Sequence, residues 1–380
     1  MAGFGQALSE HPLATHAVGE VVGGVLEQID QDPDLAVIFV SADHAGAMED
    51  IVFTVRELLR PRTLVGTTGG TVVGGSKEVE QRSAISLWAA KGVEADAIRL
   101  RAVRDGDRAA IVGWPGDQVG DAAAVLLIAD PFTFPTEAFL THVREHHEGL
   151  PIVGGLASAG QQPGTNRLVV DGNVVTEGAV AAILRGPVRA EAVVSQGCRP
   201  IGDAFVVTGA TGNVITSVGG EPPLQRLEAI AASLPPDQLA MLRQGIHLGL
   251  VFDEHQVDFG RGDFLIRNLV SADRDDGGVV TDHHIEVGTT VQFQVRDAAS
   301  ADDDLRHLLR GRAAEGALLF TCNGRGTHLF DEPDHDASVI EQALHSPALA
   351  GMSCMGEIGP VGGTNYLHGF TASMLLFDAV

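Results

Sequence analysis

The chain has 380 residues, and 50 acidic side chains against 25 basic ones give it a formal net charge of −25. A surface with this charge repels phosphate backbones and anionic membranes, so we expect neither nucleic acid nor a membrane as a partner. The length and the slightly positive mean hydropathy allow a large buried core without help from disulfides or metal ions.

The cysteine content and the N-terminus indicate the compartment. Cys198, Cys322 and Cys354 are too few and too scattered for a disulfide framework, and they do not match the paired spacing of zinc sites. The N-terminus has no basic region followed by an apolar run, and no segment approaches the ~20 apolar residues of a membrane-spanning helix. We therefore expect a soluble protein of the reducing cytoplasm.

A unit of strand, helix, strand, loop and strand recurs three times along the chain. Its first strands are short apolar runs that end in small polar residues: AVIFVSAD from Ala36, AVLLIAD from Ala124 and ALLFTCN from Ala317. Each second strand ends at a glycine: Gly66, Gly154 and Gly351. The strand start and this glycine are 30 residues apart in the first two copies and 34 in the third. Such regular spacing indicates an internal repeat.

Every copy continues through a glycine-rich loop into a further apolar strand. The loops are GTTGGTVVGG, GGLASAGQQPG and GMSCMGEIGPVGG. Between the second and third copies, the segments from GLVFDEHQ to TTVQFQVRD are typical of a strand meander. The sequence thus predicts a mixed α/β (α+β) protein with mixed sheets flanked by helices. We place one domain at residues 1–200, with two units, and another at 201–380, with the meander and the third unit.

The third unit carries the richest side-chain chemistry. Strands joined by a crossover helix are almost always parallel, and ligands bind beyond the carboxyl ends of parallel strands. This geometry brings the turn CNGRG beside the third glycine-rich loop, with the start of the last strand closing the site from one side. The predicted ligand-binding residues are Cys322, Asn323, Arg325, Ser353, Cys354, Glu357, Asn365 and His368.

Arg325 allows two interpretations. Its planar guanidinium, placed between two glycines, suits a carboxylate or a phosphate of a ligand, and Glu357 nearby would meet an ammonium group. Together the two residues would then bind a zwitterion. Alternatively, Arg325 and Glu357 form a structural salt bridge that locks two loops together.

The cysteines also allow a catalytic alternative. Cys322 or Cys354, activated by His368 with Glu357 orienting the imidazole, would make a thiol-dependent hydrolase or transferase. Against this, a lone cysteine at a strand end is commonly a small buried apolar residue. A third alternative is an interaction scaffold without a ligand.

Other common sites are disfavoured. In GTVVGGSK, Ser76 separates the last glycine from the lysine that a P-loop places directly after it, and no G-x-S-x-G motif is present. His142 and His146 share a helix face, but their charged neighbours are typical of a solvated surface. We therefore assign no metal, cofactor or catalytic residue.

Several of these segments resemble one known family. CNGRG, AGMSCMGEIGPVGG and YLHGFTASMLLF strongly resemble the C-terminal signature of the FIST family, named for F-box and intracellular signal transduction proteins. LVGTTGGTVVGG followed by AISLWAA is similar to its N-terminal signature. The resemblance implies a sensory domain that binds a small ligand, with amino acids as the proposed class. A protein partner would read the bound state, and we expect no attached output domain.

Overall fold

The computed structural model describes residues 3–30, 32–105, 108–186, 188–235, 239, 241–242, 245–252, 254–256, 259, 262–273 and 276–378. The chain forms two compact units. The first combines Met1–Ser195 with Leu305–Val380, and the second is the inserted segment Gln196–Asp304. The proposed domains 1–200 and 201–380 stay a prediction about family boundaries. The compact units divide the chain differently, because the third strand–helix–strand unit belongs with the first two.

The predicted mixed α+β class is confirmed. The helices are α1 Ala14–Leu26, α2 Met48–Leu58, α3 Thr136–His146, α4 Pro223–Ser233, α5 Ala298–Leu309 and α6 His335–Ala343. Within the described part of the chain, none of the helices combines the length and apolar character needed to cross a membrane.

Strands make up most of the remaining regular structure. Before the insertion they are β1 Gly3–Ser9, β2 Leu35–Ser41, β3 Thr63–Gly69, β4 Thr71–Gly74, β5 Lys77–Glu80, β6 Ile85–Lys91, β7 Glu94–Asp105, β8 Arg108–Val112, β9 Ala124–Ala129, β10 Ile152–Leu156, β11 Leu168–Val170, β12 Asn173–Val175, β13 Ala179–Arg185 and β14 Arg189–Ser195. The insertion holds β15 Cys198–Pro200, β16 Phe205–Thr211, β17 Val214–Val218, β18 Ile246–Val251, β19 Phe264–Ala272, β20 Val279–Thr281 and β21 Thr290–Arg296. After it come β22 Gly316–Cys322, β23 Ala348–Cys354, β24 Glu357–Val361, β25 Thr364–His368 and β26 Ala372–Asp378.

Each strand–helix–strand crossing of the first compact unit is parallel. β2 pairs with β3, β9 with β10 and β22 with β23, in each case without a register shift. The first strand of each pair is apolar and buried on both faces, as a central parallel strand must be. The connecting helices are amphipathic: α2 buries Met48, Ile51, Val52 and Val55, which recur at helical spacing.

The three glycine-rich loops form hairpins that join neighbouring sheets. Hairpin β4–β5 extends the third sheet, ordered β14-β26-β22-β23-β4-β5. Hairpin β11–β12 extends the first, ordered β1-β6-β2-β3-β11-β12, and β24–β25 extends the second, ordered β25-β24-β10-β9-β13-β7-β8. Each unit therefore completes the sheet of another unit, and the exchange closes a cycle among the three.

One hydrophobic core joins these sheets. Its largest cluster includes buried residues from the first strand of every unit, among them Phe39, Leu126 and Phe320. The rings of Phe39 and Phe320 meet edge to face at 5.8 Å. Burying such a side chain stabilises the fold by roughly 1.5–3 kcal/mol, so Phe320→Ala alone should destabilise it by about 3–5 kcal/mol.

The second compact unit is a barrel-like sheet. Its strands run in the order β15-β21-β16-β17-β20-β19-β18, and β18 also pairs with β21. The predicted meander strands are present, with β18, β19 and β20 paired antiparallel in succession. The fourth strand, β21, returns to β18, which closes the sheet on itself.

Candidate functional site

A cavity of about 240 Å³ lies in the first compact unit, where the loops after β3, β10 and β22 meet hairpin β4–β5. The lining residues that carry its chemistry are Glu78, Glu80, Ser158, Cys322, Asn323, Arg325 and Ser353. The cavity thus sits beyond the carboxyl ends of parallel strands, the position where ligands bind in such sheets.

Two buried serines hold the loops of all three units together at the base of the cavity. The backbone N–H of Gly70 donates to Ser158 Oγ, and that of Thr71 donates to Ser353 Oγ, each at 2.9 Å. Ser158 Oγ in turn donates to the carbonyl oxygen of Ser353. The base of the cavity is therefore fixed by contacts between segments that are far apart in sequence.

The central feature of the cavity wall is a buried ion pair. Arg325 donates from Nε and Nη2 to the two carboxylate oxygens of Asp336, each at 2.7 Å, and both side chains are fully buried. Thr321 Oγ1 adds a 2.8 Å hydrogen bond to Asp336. Burial alone would raise the pKa of Asp336, but the charge and hydrogen bonds of Arg325 hold it well below its usual range.

One guanidinium nitrogen is left over from this pairing. Nη1 of Arg325 is buried and has no hydrogen-bond partner among the residues that the structure describes. The guanidinium carbon lies 5.4 Å from the ring centre of Phe330, which supports it from one side. Because a buried donor without a partner is costly, this nitrogen favours a ligand that brings an acceptor.

Hairpin β4–β5 supplies an acidic wall. Glu78 Oε1 accepts a 2.8 Å hydrogen bond from the backbone N–H of Ala337, in the first turn of α6. Burial and the nearby charge of Asp336 raise the pKa of Glu78 to about 8. Glu80 accepts hydrogen bonds from the N–H and the hydroxyl of Thr327, at 2.9 and 2.5 Å. The cavity is therefore lined by a cation and by two carboxyl groups, and the charges of Arg325 and Glu78 act on each other.

Cys322 is half-buried and its thiol has polar neighbours. The backbone N–H of Gly324 donates to its Sγ at 3.3 Å. Behind it lies Glu357, whose Oε2 accepts two 2.9 Å hydrogen bonds from the N–H and the hydroxyl of Thr371. Burial raises the pKa of Glu357 to about 8, although the bonds from Thr371 and a weak one from the Cys322 thiol oppose this shift.

The structure brings together four of the eight predicted site residues. Cys322, Asn323, Arg325 and Ser353 line the cavity. Glu357 is fully buried behind Cys322 and is not part of the lining.

The other three predicted residues, Cys354, Asn365 and His368, are buried, and they contact the core or the backbone and do not line the cavity. Cys354 lies in the hydrophobic core, where burial raises the pKa of its thiol well above the ordinary value. Asn365 bridges the backbone around β10: it accepts from the N–H of Ile152 at 2.8 Å and donates to the carbonyl of Leu150 at 2.7 Å. Nε2 of His368 bonds to the carbonyl of Gly359 at 2.9 Å, and this residue does not line the cavity.

The alternative of an Arg325–Glu357 salt bridge is wrong, because Asp336 takes both paired nitrogens of Arg325. Sequence reasoning also missed Glu78 and Glu80, which line the same cavity from hairpin β4–β5. The sequence KEVE could have placed them together, because alternate residues of a strand share a face and Glu78 and Glu80 are two positions apart. Nothing in the sequence indicates that this strand meets the third unit.

The described residues contain no group of three or more histidine, cysteine, aspartate or glutamate side chains arranged to hold a metal ion. Of the two histidines noted above on a shared helix face, His146 uses Nδ1 to bond the carbonyl of His142 at 2.8 Å.

Two family models match the chain. The FIST N domain matches residues 34–221 and the FIST C domain matches residues 225–360. An uncharacterized protein of Mycobacterium bovis is 44% identical to this chain, with 98% of both chains covered. An uncharacterized protein of Mycobacterium tuberculosis is also 44% identical, over 96% of this chain and 94% of its own. The lining residues of the cavity all lie within the two matched ranges.

Proposed function

The chain belongs to the FIST family, whose domains are sensory domains of signal transduction, and we propose that it senses a small carboxylate-bearing metabolite in the cavity beside Arg325. An amino acid is the ligand class that suits the two walls of the cavity.

The observation that carries this proposal is the free nitrogen of Arg325. A ligand carboxylate that accepts from Nη1 makes a charge-assisted hydrogen bond, which is stronger than a neutral one. Asp336 already holds the guanidinium in place, so the side chain loses little conformational freedom when the ligand binds.

The acidic wall favours a zwitterion over a simple acid. An ammonium group of a ligand bound at Arg325 would meet Glu80 and Glu78 of hairpin β4–β5, which line the same cavity. The volume of 240 Å³ equals roughly eight water molecules, since each occupies about 30 Å³ in the liquid. This volume suits a small amino acid and is smaller than the usual 300–1,000 Å³ of pockets for drug-sized ligands.

A thiol-dependent hydrolase or transferase is the second candidate. The position of Cys322 in the cavity, with a backbone N–H on its sulfur, favours it. Cys354 is a poor nucleophile, because it is fully buried and its thiol pKa is raised.

We also propose that the protein acts in the cytoplasm and that a protein partner recognises its ligand-bound state. Cys198, Cys322 and Cys354 form no disulfide with one another, as expected in a reducing compartment. The partner follows from the role, since a sensory domain needs a receiver for its signal.

Thermal unfolding against a panel of amino acids and small carboxylates tests the proposal. A ligand at 100 times its dissociation constant adds about 2.7 kcal/mol to the native state, which raises the midpoint by a few degrees. Arg325→Lys keeps a cation opposite Asp336 but removes Nη1, so the ligand-induced shift should disappear. Arg185→Lys, in a surface ion pair with Asp96, is the matched control and should keep the shift.

A second variant separates loss of binding from loss of folding. Glu80→Gln should weaken the binding of amino acids and leave the binding of simple carboxylates nearly unchanged. A panel without any selective shift, or a shift that survives in Arg325→Lys, would overturn the proposal.

A further inference from the structure

We propose that Cys322 adds reversibly to the carbonyl carbon of a small 2-oxo carboxylate, so that the cavity captures this compound as a covalent adduct. The inference rests on the proposed binding of a carboxylate at Arg325, and it names the substrate class of that same site.

The surroundings of Cys322 suit a nucleophile. The thiol lies half-buried in the cavity, so a small molecule reaches it while bulk water is restricted. The N–H of Gly324 donates to Sγ at 3.3 Å, and the charge of Arg325 acts on the same sulfur. Both interactions stabilise a thiolate, as at other reactive cysteines.

Gly324 can hold this position only because it lacks a side chain. A Cβ at residue 324 would lie 2.6 Å from the ring of Phe370, closer than any normal contact. A side chain at this position would therefore have to displace the Phe370 ring or the backbone N–H that contacts the sulfur. The glycine at this position thus lets the backbone N–H stay within hydrogen-bond distance of the Cys322 sulfur.

Glu357 is the group that exchanges a proton with the thiol. Its Oε2 is held by Thr371, while Oε1 has no close hydrogen-bond partner among the described residues. The Cys322 thiol interacts with this carboxyl as a weak donor. This hydrogen bond places Glu357, in its ionised form, where it can take the proton of the Cys322 thiol.

The spacing of anchor and nucleophile selects the electrophile. Cys322 and Arg325 belong to one tight turn, in which the N–H of Arg325 donates to the carbonyl of Cys322 at 2.9 Å. The charge of Arg325 also acts on the sulfur of Cys322, so we place the carbon next to a carboxylate bound at Nη1 within reach of this sulfur. In a 2-oxo carboxylate that adjacent carbon is the electrophilic carbonyl carbon.

The step balances without any further reactant. In molecules whose Glu357 is ionised, the thiol proton moves to this carboxylate, a sulfur lone pair forms the S–C bond, and the carbonyl π pair moves onto the oxygen. The oxygen then takes the proton back from Glu357, which leaves a hemithioketal and the carboxyl in its starting state. The reverse sequence releases the ligand, and nothing is oxidised, reduced or lost, as reversible sensing requires.

Carbon-13 NMR of the full chain with pyruvate labelled at the carbonyl carbon tests the inference. In the wild type we expect a protein-bound resonance in the tetrahedral region, which Cys322→Ser should abolish. Cys198→Ser, which changes a thiol in the other compact unit, is the matched control and should keep the resonance. Cys322→Ala serves as a second variant if the serine protein does not fold.

Lactate has the same skeleton without the carbonyl and separates this inference from the proposed function. Thermal stabilisation by pyruvate and lactate with only a ketone resonance would overturn covalent capture and leave carboxylate binding intact. No stabilisation by either compound and no adduct would overturn the inference together with carboxylate binding at this site. An adduct that persists in Cys322→Ser would assign the chemistry to another residue and also overturn the inference.

Discussion

Arg325 and Asp336 face each other as a fully buried pair joined by two hydrogen bonds of 2.7 Å. Removing two charges from water opposes folding, and the attraction between them restores this loss only when the geometry is good. The pair therefore serves to orient the guanidinium more than to stabilise the fold. Removing either side chain would leave the charge of the other buried without its hydrogen-bonded partner.

Asp336→Asn should destabilise the first compact unit by about 3–5 kcal/mol, because it removes the carboxylate that pairs with two nitrogens of the buried Arg325. Urea unfolding measures the loss. Asp32→Asn is the matched control, since Asp32 pairs with Arg60 at the surface with side chains 61% and 52% exposed. That change should stay within about 1 kcal/mol. Equal losses in the two variants would contradict the role given to the buried pair.

Glu357 should make stability fall as pH rises. The folded state keeps a proton on this carboxyl up to a pKa of about 8, whereas an unfolded glutamate loses it near pH 4.3. Between these values the free energy of unfolding should drop by about 1 kcal/mol per pH unit, and above pH 8 the effect is constant. Glu357→Gln cannot titrate and should remove the Glu357 contribution to the slope in urea titrations from pH 5 to 8, while the contribution of Glu78, whose pKa is also about 8, remains. Glu148→Gln, at an exposed position, should leave the slope unchanged.

Glu78 should release a proton when an amino acid binds. Its pKa of about 8 keeps it neutral at lower pH, and the ammonium group of a ligand favours the ionised form. Affinity for amino acids should therefore increase from pH 6 to about 8. Calorimetry in two buffers of different ionisation enthalpy counts the proton. Glu78→Gln should show no release, and neither should a carboxylate that lacks the amine; release in either case would exclude Glu78 as its source.

Gly326 should tolerate no side chain. Its φ of +57° disfavours other residues, and an added Cβ would lie 2.5 Å from Glu80 Oε1. Gly164→Ala is the control, because Gly164 has a φ of +81° with open space around it, and it should lose about 1–2 kcal/mol. Gly326→Ala should lose roughly 1–3 kcal/mol more, part of which Glu80→Ala in the same chain should restore. Equal losses would mean that the contact with Glu80 is unimportant.

The parallel crossings could be predicted from the sequence because their signals are local. A buried apolar strand, an amphipathic helix and a second strand with a glycine follow one another within about thirty residues, although each second strand continues past the predicted end at Gly66, Gly154 or Gly351. The turn CNGRG and Ser353 were placed at the cavity for the same reason: Cys322 and Cys354 end two strands that pair in parallel. The same strand pairing led us to predict Cys354 as a site residue, but its side chain packs in the hydrophobic core.

The rest of the site depends on pairings that no local pattern specifies. β4 pairs with β23, and the hydrogen bond from Thr71 to Ser353 joins residues 282 positions apart. The carboxylate partner of Arg325 was equally hidden, since an aspartate in the first turn of a helix usually needs no partner beyond the helix itself. Glu357 was the nearer candidate in the loop, but the crossover helix brings Asp336 into pairing distance of Arg325.

The exchange of hairpins has a consequence for synthesis on the ribosome. Hairpin β4–β5 leaves the exit tunnel long before β23, so one of its edges has no partner until nearly the whole chain has been translated. A nascent chain that stops within the third unit leaves an unpaired strand edge, a known template for aggregation. The first compact unit therefore closes only after its third strand–helix–strand unit has been translated, and a truncation within that unit should also destabilise the sheet that holds hairpin β4–β5.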